Sequence, residues 1–125
     1  MKLEALKSEK EIAALFENPK VKTQKGPQFF WVKYKDRTKI PAQEQPFRAA
    51  ISVSKKRFSK AVDRNRIKRQ IREVLRENLR DIPSTGPQID SLWVYRRNDF
   101  PDFGELRDEC QQILARIYSN LPDES

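Results

Sequence analysis

Phe47-Arg48-Ala49-Ala50-Ile51-Ser52-Val53-Ser54 alternates apolar with small or polar residues, the period of a half-buried strand. Ala61-Val62-Asp63-Arg64-Asn65-Arg66-Ile67-Lys68-Arg69-Gln70-Ile71-Arg72-Glu73 opens a helix that starts between Ser59 and Asp63 and runs to about Arg80, where Pro83 stops it. Ile89–Tyr95 (Ile-Asp-Ser-Leu-Trp-Val-Tyr) reads as a strand again, so residues 47–95 form a strand–helix–strand unit. Upstream, Ser8-Glu9-Lys10-Glu11 has the spacing of a capping box. Ile12, Leu15 and Phe16 supply the stripe of a first helix, which Asn18-Pro19 ends. Val21–Lys25 is a short, weak strand, and Phe29-Phe30-Trp31-Val32-Lys33-Tyr34 a much stronger one, with Asp36–Pro46 as a connection. Downstream, Asp102 and Glu105 cap a last helix whose buried row is Leu106, Cys110, Ile113 and Ile117, with Asn120 and Pro122 at its end. The order αβββαβα is an α+β layout, with helices on a small sheet.

A chain of 125 residues is one domain's worth, so 1–125 reads as a single domain with a basic strand-loop-helix segment at 47–80. There is no His, which excludes His-based triads, His general bases and His metal ligands. A lone Cys forms no internal disulfide and no thiolate zinc site; Cys110 reads as a small core hydrophobe. Three glycines supply neither a Walker loop nor a dinucleotide fingerprint. No stretch has the roughly 18 apolar residues of a spanning helix, and the start is too polar for a signal peptide. The expectation is a cytoplasmic protein without a membrane partner or a small-molecule substrate.

The charge is local. The net is +8, and residues 55–80 carry all of it, with eleven Lys and Arg against Asp63, Glu73 and Glu77. An ordinary charge run is a solvated helix face, but the distribution here argues for more. On a wheel at about 100° per residue with Val62 at zero, Ile67, Ile71, Val74 and Leu75 cluster at roughly 120–220°. Asn65, Lys68, Arg69, Arg72 and Arg76 follow at roughly 240–340°, and the three acids fall at roughly 20–100°. Cations segregated from acids repel one another, and a phosphate backbone relieves that repulsion. Nucleic acid is the expected partner.

Ser52-Val53-Ser54-Lys55-Lys56 followed by the Ala61–Glu73 string resembles the bacterial ribonuclease P protein subunit, a family built around Arg-Asn-Arg with Lys-Arg two residues on and Arg-Glu beyond. More weakly, Leu6–Phe16 is similar to its first helix, Phe47–Ser54 to its third strand and Leu92–Arg96 to its last. Two departures stand out. Phe58-Ser59-Lys60 replaces a Gly before the Ala-Val pair and is one residue longer, and Ala49-Ala50 stands where the family tends to have Gly ahead of Ile-Ser-Val.

The resemblance implies a four-stranded sheet in a ribosomal-protein-like fold, with a left-handed crossover through 47–95 where the general rule gives right-handed. It implies a subunit of an RNA-based endoribonuclease that removes the 5′ leader of precursor tRNA. The RNA subunit performs the chemistry with magnesium bound mainly by RNA, and the protein has no catalytic site, no metal site and no cofactor of its own. Arg64, Arg66 and Arg69 match the motif placed against the RNA subunit, and Lys55, Lys56, Arg57 and Lys60 add phosphate contacts. Asn65, Lys68 and Arg72 match positions facing a cleft for the single-stranded leader. Phe16 and Ile12 fall where aromatics of that cleft sit, although a stripe on a first helix is more often core. One of Trp31 and Tyr34 reaches the cleft if the register allows, and Ser52 lies opposite Ile51 and Val53. The residues alone also fit a ribosomal or RNA-chaperone type domain with no role in cleavage. A DNA regulator lacks its paired short helix and heptads, and a membrane-surface helix lacks an aromatic anchor on 62–79.

Overall fold

The computed structural model describes residues 1–17, 21–36, 47–83 and 88–119. In chain order the elements are β1 (Leu3–Ala5), α1 (Glu9–Glu17), β2 (Lys22–Lys25), β3 (Phe30–Asp36), β4 (Phe47–Ser52), α2 (Ala61–Leu79), β5 (Ile89–Tyr95) and α3 (Phe103–Ser119). One sheet has the order β1-β4-β5-β3-β2. β4 and β5 are parallel neighbours joined through α2, β1 lies parallel to β4, and β3 runs antiparallel to both β5 and β2.

The α+β class and every expected element are present, but the sheet has five strands where four were expected. The extra strand, β1, has three residues and no pattern of its own. It exists because Leu3, Glu4 and Ala5 pair with Phe47, Arg48 and Ala49. Asp36 belongs to β3 opposite Ile89 and not to the connection that follows. The expected stops at Asn18-Pro19 and Asn120–Pro122, the 37–46 connection and the turn at 84–87 lie outside the described residues.

Alternation along the strands divides the sheet into two faces. Phe30, Val32, Tyr34, Trp93 and Tyr95 point to one side, where Ile67, Ile71, Val74, Leu75 and Leu79 of α2 meet Leu106, Cys110, Ile113 and Ile117 of α3. Each such buried side chain contributes about 1.5–3 kcal/mol. Trp93 satisfies its indole N–H on Ser91 Oγ at 3.0 Å, and Ser91 donates to the Arg48 carbonyl at 2.9 Å. The other face carries α1, whose Leu15 packs with Leu6 and Leu92.

Nine residues are too few for a stable isolated helix, so α1 depends on docking. Ser8 Oγ accepts the Glu11 N–H at 3.3 Å, half of the expected capping box. The Glu11 carboxylate pairs with Arg48, and Arg48 also grips Asp90 through Nε–Oδ1 and Nη2–Oδ2, both 2.7 Å. At the far end of the sheet the buried Glu109 of α3 accepts the backbone N–H groups of Gln28, Phe29 and Phe30 at 2.7, 2.7 and 2.8 Å.

Candidate nucleic-acid interface

The path into α2 sets the positions of its cations. Arg57 and Phe58 both donate their backbone N–H to the Ser54 carbonyl, at 3.1 and 3.0 Å, which turns the chain out of β4. No described residue has positive φ. The absent glycine therefore needs no special backbone here, and the longer connection instead buries Phe58 against Tyr95 (centroids 6.2 Å apart). Lys60 at the N-cap is extended and offers no capping side chain. Arg64 reaches back over this turn, its Nη1 donating to the carbonyls of Phe58 and Ser59 at 2.9 and 3.0 Å, which fixes the loop against the helix without capping it.

The segregation of charge read from the helical wheel survives folding. Ile67, Ile71, Val74 and Leu75 are buried, and the helix turns Lys68, Arg72 and Arg76 toward the sheet edge where β1 stops. Together with Leu3–Lys7, Ile12 and Ala49–Ile51 they line a groove of about 440 Å³. Ile12 is half-buried and lines the same groove as Lys68 and Arg72. Arg76, which the wheel puts beside them, joins the set.

Phe16 points out of the core, 57% exposed, with Lys33 Nζ 4.6 Å from its ring centroid. Trp31 shares the α1 face with Lys33 and is 47% exposed. It lies opposite Val94, which is flanked on its other side by the exposed Ser52. Tyr34 is corrected: pairing with Ser91 turns it to the opposite face, where it is 2% exposed and part of the core. Trp31 is therefore the aromatic of this strand that faces outward. Lys33 shares that face with Trp31, which only the register shows. Arg96 follows next but one after Val94, and its Nη1 is enclosed with no hydrogen-bond partner among the described residues.

The other cations fall into two groups. Lys55, Lys56, Lys60 and Arg69 are exposed and make no side-chain hydrogen bond or ion pair with another described residue. Arg57 instead donates from Nη1 to Asn98 Oδ1 at 2.9 Å, and the Arg66 guanidinium carbon lies 4.6 Å from the Phe100 ring centroid. Asn65 is exposed on the first turns of α2. Among the described residues no cluster of three or more Cys, Asp and Glu is arranged to hold a metal, and no helix is long and apolar enough to cross a membrane. The surface supplies cations, exposed rings and amides, which is chemistry for binding a polyanion with bases.

Known proteins resemble the chain over much of its length. A curated relative from Chlorobium phaeobacteroides, a ribonuclease P protein component, is 31% identical over 127 residues, covering 93% of this chain and 86% of its own length. One of the same name from Porphyromonas gingivalis is 37% identical over 76 residues, 58% of this chain, and the match spans only 56% of that relative. The ribonuclease P protein of Staphylococcus aureus superposes with a TM-score of 0.65 at 23% identity, covering 90% of this chain and 94% of that one. The Thermotoga maritima protein gives 0.66 at 22%, with 96% and 99% covered. These two structures speak for the fold alone. The Ribonuclease P family model matches residues 1–118, taking in the whole sheet, α1 and the basic helix α2, and by that match the chain belongs to the ribonuclease P protein family.

Proposed function

We propose that the chain is the protein subunit of ribonuclease P, assisting removal of the 5′ leader from precursor tRNA while the RNA subunit performs the cleavage. The observation that carries this is the α1 face: Phe16 and Trp31 are both exposed there, Lys33 sits over Phe16, and a groove lined by Lys68, Arg72 and Arg76 opens beside Ile12. Rings interleaved with cations hold a single strand without strong sequence preference. In this reading that face takes the leader, with Ser52, Asn65 and Arg96 as further contacts. Arg64, Arg66, Arg69 and the cations at 55–60 face the RNA subunit. Magnesium, held mainly by the RNA, supplies charge stabilisation at the scissile phosphate when bound.

The test is reconstitution with a bacterial ribonuclease P RNA and cleavage of a leader-bearing precursor tRNA at low magnesium. Stimulation by the chain supports the proposal. Equal binding to ribosomal RNA with no stimulation would favour an RNA-chaperone role. Lys68→Ala with Arg72→Ala should lower the salt slope for leader-bearing substrate by roughly one to one and a half, at about 0.7 per lost phosphate contact. Phe16→Ala should cost about 1–3 kcal/mol of affinity and leave the slope unchanged. Equal losses on mature tRNA lacking a leader would overturn the leader assignment.

A further inference from the structure

A second open aromatic surface lies away from the α1 face, at the start of α2. Phe100 follows β5 and is 41% exposed. Its ring lies 5.4 Å from Phe58, which is buried on the α2–α3 side with Tyr95. Arg66 holds its guanidinium carbon 4.6 Å from the centroid of the same ring. Arg57 is tied to Asn98 at 2.9 Å, so the loop after β5 is clamped to the loop before α2. The acid within this loop, Asp99, is compensated by Arg97 through two contacts of 2.8 Å each.

We propose that Phe100, Arg66 and Asn98 form a stacking platform for an unpaired base of the RNA subunit. This rests on the reading that the start of α2 faces that RNA. The ring carries no charge, and the arginines beside it meet only neutral groups, Asn98 and the ring itself, so they keep donors for phosphate while the ring can serve only a base. Lys55, Lys56, Lys60 and Arg69 stand exposed on the same basic segment without partners among the described residues, and they suit phosphates. A nucleotide flipped out of a loop or bulge matches both halves, its base against the ring and guanidinium and its phosphates on the lysines. Asn98 accepts from Arg57 through Oδ1, which leaves its amide N–H groups to meet an acceptor on a base edge. Double-stranded RNA offers no such base, so the platform discriminates unpaired from paired RNA.

The experiment is filter binding across a salt series, with a bacterial ribonuclease P RNA beside a perfectly paired RNA duplex. Phe100→Leu keeps an apolar group on Phe58 and removes the π face, so it serves even if Phe100→Ala lowers the melting temperature. Phe100→Leu should lose about tenfold or more on the ribonuclease P RNA, with an unchanged salt slope and no loss on the duplex. Phe100→Trp should bind at least as tightly as the parent. A parent that binds both RNAs equally would overturn the RNA-subunit reading itself. A parent preference that Phe100→Leu leaves intact, or a loss shared by both RNAs, would overturn the platform alone.

Discussion

Glu109 ties a helix to the turn between two strands. Its carboxylate accepts three backbone N–H groups at the start of β3, and a Cβ on Gly26 would lie 2.3 Å from its Oε2. Gly26 is therefore required for room and not for backbone conformation, since no glycine of the described chain has positive φ. Glu109→Ala leaves those donors enclosed and unmet, and should cost on the order of 3–5 kcal/mol in denaturant unfolding. Gly26→Ala should cost less when combined with Glu109→Ala than alone, a coupling that a double-mutant cycle measures. The neighbouring Cys110 is buried, and desolvation, with the Glu109 charge beside it, pushes its thiol well above the ordinary value. Native protein at pH 8 should resist alkylation that goes to completion in denaturant. Burial raises the Tyr95 and Tyr118 phenols in the same direction, with Asp99 adding to the first and Asp36 to the second. All three groups ionise more readily in the unfolded chain. Their contribution is thus complete below the unfolded values, near 9.0 for the thiol and 10.0 for the phenols, and is lost as pH rises past them. Stability measured by chemical unfolding should fall through that range.

At the scale of elements, α1 illustrates dependence on tertiary contacts. Arg48 joins Asp90 of β5 to Glu11 of α1 under a helix too short to persist alone. The fork-to-carboxylate geometry makes Lys a poor substitute. Arg48→Met should destabilise the protein by about 3 kcal/mol, because it leaves the buried Asp90 without this partner. Hydrogen exchange in α1 should rise more than in α2, and equal protection in α1 would show that Leu15 alone docks the helix. The start of α2 poses the complementary case, since it has no N-cap side chain and Arg64 instead ties the first turn to the carbonyls of Phe58 and Ser59 in the preceding loop. Arg64→Ala should cost about 1–2 kcal/mol of stability before any RNA is added. Losses in RNA binding by that variant must be read against this.

Over the whole molecule, the excess charge of +8 is confined to residues 55–80 and lies over one helix and one loop. The folded arrangement brings Lys68, Arg72 and Arg76 to one groove, whereas the unfolded chain spreads them. Anions that occupy the groove should raise the melting temperature. Phosphate should therefore stabilise the chain more than chloride at equal ionic strength. Because phosphate also favours compact states in general, the decisive comparison is with a Lys68→Gln, Arg72→Gln, Arg76→Gln variant, in which the extra increment should shrink. An increment of the same size in that variant would exclude the groove as an anion site.

The sequence by itself determined the helices, the four longer strands, the core rows of α2 and α3 and the basic segment, because periodicity and local charge are properties of consecutive residues. Asp102 shows how local such signals are, its Oδ2 accepting the Glu105 N–H at 3.1 Å as the spacing requires. The segregated cations of α2 were legible in the same way, and the structure puts Lys68 and Arg72 on one groove with Ile12. Only the tertiary structure decided the rest. β1 has too few residues for a pattern and is a strand because β4 offers it an edge. Trp31 rather than Tyr34 faces outward because β5 sets the register, and a slip of one residue would exchange them. Phe16, Lys33, Arg66 and Phe100 acquire their roles from partners distant in sequence, and pairwise contacts between such residues leave no periodic trace in a single chain.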